Sequence, residues 1–206
     1  MIPFPNKKYQ IIYADPPWAS EEGWFNNKAW RKTRFENHYP TMAIDDICNL
    51  PVCKISAKNS HIYLWTTSRN LLKGDVWKVL TAWEFRPINV LTWCKTQLGI
   101  GNYFQNNTEH LIFGVKGQMS TIDTGGYGTF FIHKRLKHSQ KPPIVREWII
   151  KWSGDLPRIE LFARQRTPGW DVWGNEVDKF NSEKGLFEEP VLITTGVKQL
   201  KGGEDV

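Results

Sequence analysis

Cysteine, methionine and long apolar runs are all scarce in this chain of 206 residues. Three cysteines, Cys48, Cys53 and Cys94, make an odd and sparse set. A disulfide framework is thereby excluded, and no spacing among them matches a zinc site, so no metal is expected. No apolar stretch approaches the ~18 residues of a membrane span, and no membrane partner is expected. The first ten residues, MIPFPNKKYQ, lack the charged-then-apolar order of a signal peptide. A cytoplasmic protein is the expectation. Internal repeats and an N-terminal GxGxxG are also lacking. Acids are the minority charge, with 21 Asp+Glu against 27 Lys+Arg and a formal net charge of +6.

With 40% hydrophobic and 23% charged residues, the composition is that of a soluble globular domain. Tryptophan is abundant: 11 residues, about 5% of the chain. Residues 176–206 hold seven acids and four bases, so this tail is −3 and the remainder +9. Any anion-binding face belongs to the body of the protein. Basic charge and many aromatic rings together fit a surface that attracts phosphates and stacks on bases. A Trp-rich core in a mildly basic protein fits the same numbers.

Tyr9–Ala14 (YQIIYA) reads as a buried strand cut off by Pro16 and Pro17. Residues 19–40 are polar, basic and aromatic without period, which predicts a long loop of the functional or mobile kind. Thr41 then caps a helix with Ile44, Ile47 and Cys48 on one face. His61–Trp65 is a second strand. Ser68 caps a helix whose stripe is Leu72, Val76, Val79, Leu80 and Trp83. Strands are expected over 88–94, 110–115, 130–133, 158–163 and 171–173, with loops over 99–107 and 117–128. Pro142 and Pro143 open a helix with Val145, Trp148, Ile149 and Trp152 on its buried face. Alternating strands and helices predict an α/β domain with a largely parallel sheet flanked by helices. Residues 1–179 form that single domain, and 180–206 form a weakly structured tail.

Ligands of open α/β sheets bind at the carboxyl ends of the strands. The first strand ends in Asp15-Pro16-Pro17-Trp18. Asp15 offers carboxylate acceptors, and Pro16 a carbonyl at a loop start. Together they suit the two hydrogens of an exocyclic amine such as that of adenine. Pro17 stiffens the turn, and Trp18 can cover a ring face. Acceptors on both hydrogens localise the amine's lone pair, and a methyl sulfonium held in line could then be attacked without a strong base. A rigid Pro-Pro loop with Trp18 in the core is the competing explanation.

Six ordered blocks go further: YADPPW, HYPTM, HIYLWTT, WCKTQLGIGNYFQNNTEHLIFGVKG, HSQKP and RIELFARQRTPGWDVWGNE. Over roughly residues 9–176 they resemble the family named for the seventy-kilodalton adenosine methyltransferase subunit, MT-A. That family includes an mRNA adenine methyltransferase subunit and bacterial and phage DNA adenine methyltransferases. The resemblance implies a Rossmann-like methyltransferase fold with permuted motif order and S-adenosylmethionine as cofactor. It implies a catalytic loop of Asp15, Pro16, Pro17 and Trp18. Tyr39, Trp93, Lys95, Glu109 and His110 would serve the target base. Asp15, Lys141, Arg164 and Asn175 would serve the cofactor, Lys141 through the methionine carboxylate. Gln165, Arg166, Thr167 and Glu176 depart from the pattern of some relatives.

DNA is the expected substrate, in a bacterial or phage-infected cell. RNA, and a non-catalytic nucleic-acid-binding subunit on the same fold, are the alternatives. Two basic segments fit a polyanion: residues 23–38, and residues 134–146 with Lys134, Arg135, Lys137, Lys141 and Arg146. Base readout is expected from the loops near 19–40, 96–107 and 117–140, from a second subunit, or from a second copy in a homodimer.

Overall fold

A computed structural model of the chain describes residues 2–19, 41–99, 103–123, 125–136 and 140–178, together with the backbone of 191–194. Eight strands form one sheet in the order β7-β6-β1-β2-β4-β3-β5-β8. The strands are β1 Tyr9–Ala14, β2 Ser56–Thr66, β3 Arg86–Lys95, β4 Thr108–Lys116, β5 Tyr127–His133, β6 Arg158–Leu161, β7 Asp171–Trp173 and β8 Val191–Thr194. The helices are α1 Ile44–Cys48, α2 Val52–Ile55, α3 Ser68–Lys73, α4 Asp75–Ala82 and α5 Ile144–Ser153. Strands β7, β6, β1, β2, β3 and β5 run one way; β4 and β8 oppose them. The expected largely parallel sheet is therefore present. Strand β8 lies within the stretch read from the sequence as a weakly structured tail, and it pairs antiparallel with β5.

The central strand β1 is buried on both faces, as a continuous apolar run requires in a parallel sheet. Ile12 and Ala14 face a core with Ile47, Val52, Val76, Val79, Leu80 and Trp83. Ile11 and Tyr13 face the opposite core with Val145, Trp148 and Ile149 of α5. Helices thus cover both faces, and the strand ends are left to carry chemistry. Strand β1 pairs parallel with β2 on one side and with the late strand β6 on the other. This is the permuted order: the DPPW strand comes first in the chain and lies between the second strand, β2, and the late strand β6.

One predicted helix is two. Gly74 at φ +81° caps α3 and begins α4, so Leu72 is 88% exposed rather than part of the buried stripe. A glycine in the left-handed region is the usual way to end a helix. The side-chain cap of α3 is Thr67, which accepts from the Asn70 N–H at 3.3 Å, one residue before the expected Ser68. Strand β2 starts at Ser56, earlier than its apolar part. Trp83 is buried, and its indole donates to the Ile47 carbonyl at 3.0 Å. Trp148 is buried, and Trp152 is partly buried against the same core. These three tryptophans are structural.

Candidate active site

Asp15 follows β1 at the carboxyl edge of the sheet. The parallel strands β2, β3, β5 and β6 end on this edge, and the antiparallel β4 begins there. Lys95, at the end of β3, and Glu109, at the start of β4, are therefore brought to one place. Lys141 enters just ahead of α5, whose first turn is set by Pro143.

These four side chains form a line of alternating charge. Lys95 Nζ pairs with Glu109 Oε1. Lys141 Nζ lies 3.2 Å from Glu109 Oε2 and 2.7 Å from Asp15 Oδ2. Burial raises the Glu109 carboxyl, but the ammoniums of Lys141 and Lys95 outweigh it and hold the group below the usual carboxylate range. Burial works against the Lys141 ammonium, yet Asp15 and Glu109 reverse the effect and raise it well above an ordinary lysine. Both stay charged at neutral pH. Lys141 also sits 5.5 Å over the Trp65 ring and Lys95 4.8 Å over Trp93, favourable positions for cations.

The DPPW loop is fixed from behind. Trp18 donates its indole N–H to the Trp65 carbonyl at 3.1 Å, and Trp65 donates to the Tyr13 hydroxyl at 2.7 Å. The Pro17 carbonyl accepts from Met42 N–H at 2.8 Å. Pro16 is not wholly free as an acceptor, because Trp18 N–H donates to its carbonyl at 2.9 Å. A carbonyl oxygen has two lone pairs, so one acceptor position remains. Asp15 Oδ2 is committed to Lys141, while Oδ1 makes no hydrogen bond among the described residues.

Other expected site residues fall into place differently. Trp93 is 2% exposed and spends its N–H on the His133 carbonyl at 2.9 Å, so it backs the site behind Lys95. His110 bridges Ser68 at 3.0 Å and Thr92 at 3.1 Å, tying α3 to β3. Burial lowers its imidazole, partly offset by Glu109. Arg164 pairs with Glu176 at 3.4 Å, beyond the end of β6. Asn175 is exposed in the turn after β7. Gly174, just before it, packs so closely on Ala163 that any Cβ there would meet its backbone at 2.7 Å. Tyr39 lies outside the described residues, as do Trp24, Trp30 and the basic segment 23–38.

A second correction concerns the basic segment 134–146. Arg146 is 8% exposed and makes two 2.7 Å bonds to the buried Glu160. With Lys141 it belongs to the interior of the site, not to a phosphate-binding surface. The sequence signal for this pair was a lone Glu inside the apolar strand RIELFA. Glu160 stands opposite Tyr13 in the β1–β6 register, and Arg146 lies 5.5 Å over the Tyr13 ring. The pair forms the floor of a narrow cleft whose walls include Asp15, Gln140, Lys141, Phe162 and Arg164. Phe162 holds φ +60° at the end of β6, a strained conformation typical of ligand-binding turns.

The mostly parallel sheet flanked by helices is a Rossmann-like methyltransferase fold. Within that class, the chain belongs to the MT-A70 family, which it matches over residues 9–176. It is 32% identical over 194 residues to the type II methyltransferase M.MunI of a Mycoplasma species, spanning 84% of this chain and 79% of that one. It is 27% identical over 193 residues to the human N(6)-adenine-specific methyltransferase METTL4, spanning 84% and 38%. Human METTL3, an N(6)-adenosine-methyltransferase catalytic subunit, is 26% identical over 183 residues, spanning 83% and 28%. The chain thus spans most of the bacterial relative but well under half of the two human ones. Among the described residues, no helix is long and apolar enough to cross a membrane.

Proposed function

We propose that this chain transfers a methyl group from S-adenosylmethionine to the N6 amine of adenine in DNA. The observation that carries the proposal is the DPPW loop on the central strand, with Asp15 held by a lysine that is itself held by Glu109.

The cleft suits the cofactor chemically. Lys141 would meet a carboxylate, and Gln140, Arg164 and Gln165 supply polar groups around a strained strand end. When bound, S-adenosylmethionine supplies an electrophilic methyl group. The chain's own part is positioning. Lys141 fixes one Asp15 oxygen, which leaves Oδ1 and the remaining Pro16 lone pair to accept the two amine hydrogens. Trp18, braced on Trp65, holds the loop at a set height. Such fixed acceptors act without reorganising during the reaction. A base inside a duplex must first leave the stack to reach them.

Similarity to a type II methyltransferase of comparable length supports DNA over RNA. Base readout falls to the loops around the carboxyl edge, or to a second copy or subunit. The test is methylation of matched DNA and RNA oligonucleotides, read by nucleoside mass spectrometry. N6-methyladenine in DNA alone is the expected result. Product in RNA alone would reassign the polymer.

A further inference from the structure

Two aromatic rings stand in water at the catalytic edge. Tyr103 is 92% exposed and its neighbour Phe104 is 88% exposed. Leaving two such rings solvated contributes nothing to the core, and paired exposed rings mark a contact surface. They sit in the loop joining β3 to β4, and the stem of that loop is closed. Lys95 N–H donates to the Asn107 carbonyl at 2.7 Å, and Gly99 N–H to the Asn106 carbonyl at 2.9 Å. A Cβ at Gly99 would collide with that Asn106 carbonyl, so only glycine allows this closure. The stem holds Lys95 and Glu109, the two side chains whose charges lead through Lys141 to Asp15. The rings are thus tied to the reacting loop through one closed hairpin.

Charge at the loop points to a polyanion. Arg135 N–H donates to Gln97 Oε1 at 2.9 Å, which fastens the exposed Arg135 to the same loop. Gln105 and Asn106 beside the rings are exposed amides. Two exposed rings beside amides, on a loop bonded to the Arg135 backbone, resemble the apolar wedges that enter base steps, with neighbouring cations on phosphates. Leu98 of the same loop is 64% exposed and stands with the rings, and Gln105, Asn106 and Arg135 supply the exposed polar groups of this edge.

We propose that Tyr103 and Phe104 form a wedge that enters the duplex beside the target adenine and fills the gap left when that base turns out. This rests on the DNA adenine methylation proposed above. The wedge replaces the stacking lost by the neighbouring bases and so keeps the adenine at the DPPW loop.

The test uses duplex oligonucleotides carrying the enzyme's own site, mapped by methylation-sensitive sequencing. The target adenine is placed either opposite thymine or opposite an abasic gap, where extrusion is easy. For the Y103A/F104A variant, kcat/KM on the paired substrate is expected to fall about 30-fold, the scale of lost base–aromatic stacking, and on the gapped substrate by less than about threefold. The Y103W/F104W variant should keep most of the paired activity. Equal loss on both substrates, or no loss on either, would overturn the wedge. A changed oligomeric mass in light scattering alongside equal loss would make the rings a protein interface instead. Wild-type enzyme that methylates neither substrate would overturn the DNA methylation itself, a failure distinct from that of the wedge alone.

Discussion

Lys141→Met removes the middle cation of the site while keeping a side chain of similar length against Trp65. The ammonium lies 2.7 Å from Asp15 and 3.2 Å from Glu109, and its side chain is only 11% exposed. In the variant the two carboxylates face each other with Lys95 as the remaining cation. Breaking a fully buried pair costs about 3–5 kcal/mol, and an exposed one under about 1. Asp15 and Glu109 are 21% and 20% exposed, so solvent screens part of the loss. About 2–3 kcal/mol is expected at neutral pH. The pH dependence follows from the shifts. Glu109 is depressed in the folded state, so its pairing stabilises above the unfolded carboxyl value and fades as pH falls through the folded one. Lys141 is raised, so its share is complete at neutral pH and is lost only in strong alkali. The gap between wild type and variant should therefore be full near pH 7 and shrink below about pH 4. Denaturant unfolding at both pH values measures it. An equal gap at the two values would refute the electrostatic origin and point to lost packing.

Three further outcomes are expected. Glu160→Gln leaves the Arg146 guanidinium buried beside a neutral group and should cost about 3 kcal/mol, while R146M/E160L recovers most of it. A double variant no more stable than the single one would show that the ion pair is not the source. Gly74→Ala should cost about 1 kcal/mol in denaturant unfolding through backbone strain alone, because a Cβ there meets nothing nearer than Trp77 at 3.7 Å. Trp18→Phe keeps a ring but loses the bond to the Trp65 carbonyl, so methyl transfer should fall about tenfold while the melting temperature falls by only about 2–4 °C.

Much of this arrangement is legible in the residues because local and global signals agree. YQIIYA is apolar but for Gln10, short, and stopped by two prolines, which fits a central parallel strand and puts DPPW at a strand end. The α5 face was equally plain from Val145, Trp148 and Ile149. Where the signals part, the sequence misleads. Leu72 keeps helical spacing with Val76, but Gly74 turns the chain between them. Lys141 and Arg146 look like surface bases beside Lys134 and Arg135, since charge counting carries no information about burial. Their carboxylate partners, Asp15, Glu109 and Glu160, are distant in sequence, and only the meeting of β1, β4 and β6 reveals them. The family resemblance assigned Trp93 to the target base; its burial behind Lys95 depends on how β3 lies against β5.

The most direct measurement is N6-methyladenine formed from S-adenosylmethionine and unmethylated DNA by wild type and by Asp15→Ala, read by mass spectrometry of the digested nucleosides. Cofactor binding is followed in parallel by calorimetry. Methyladenine from wild type and none from the variant, with cofactor binding largely retained, is the expected result. Full activity without the Asp15 carboxylate would contradict its placement at the reacting amine.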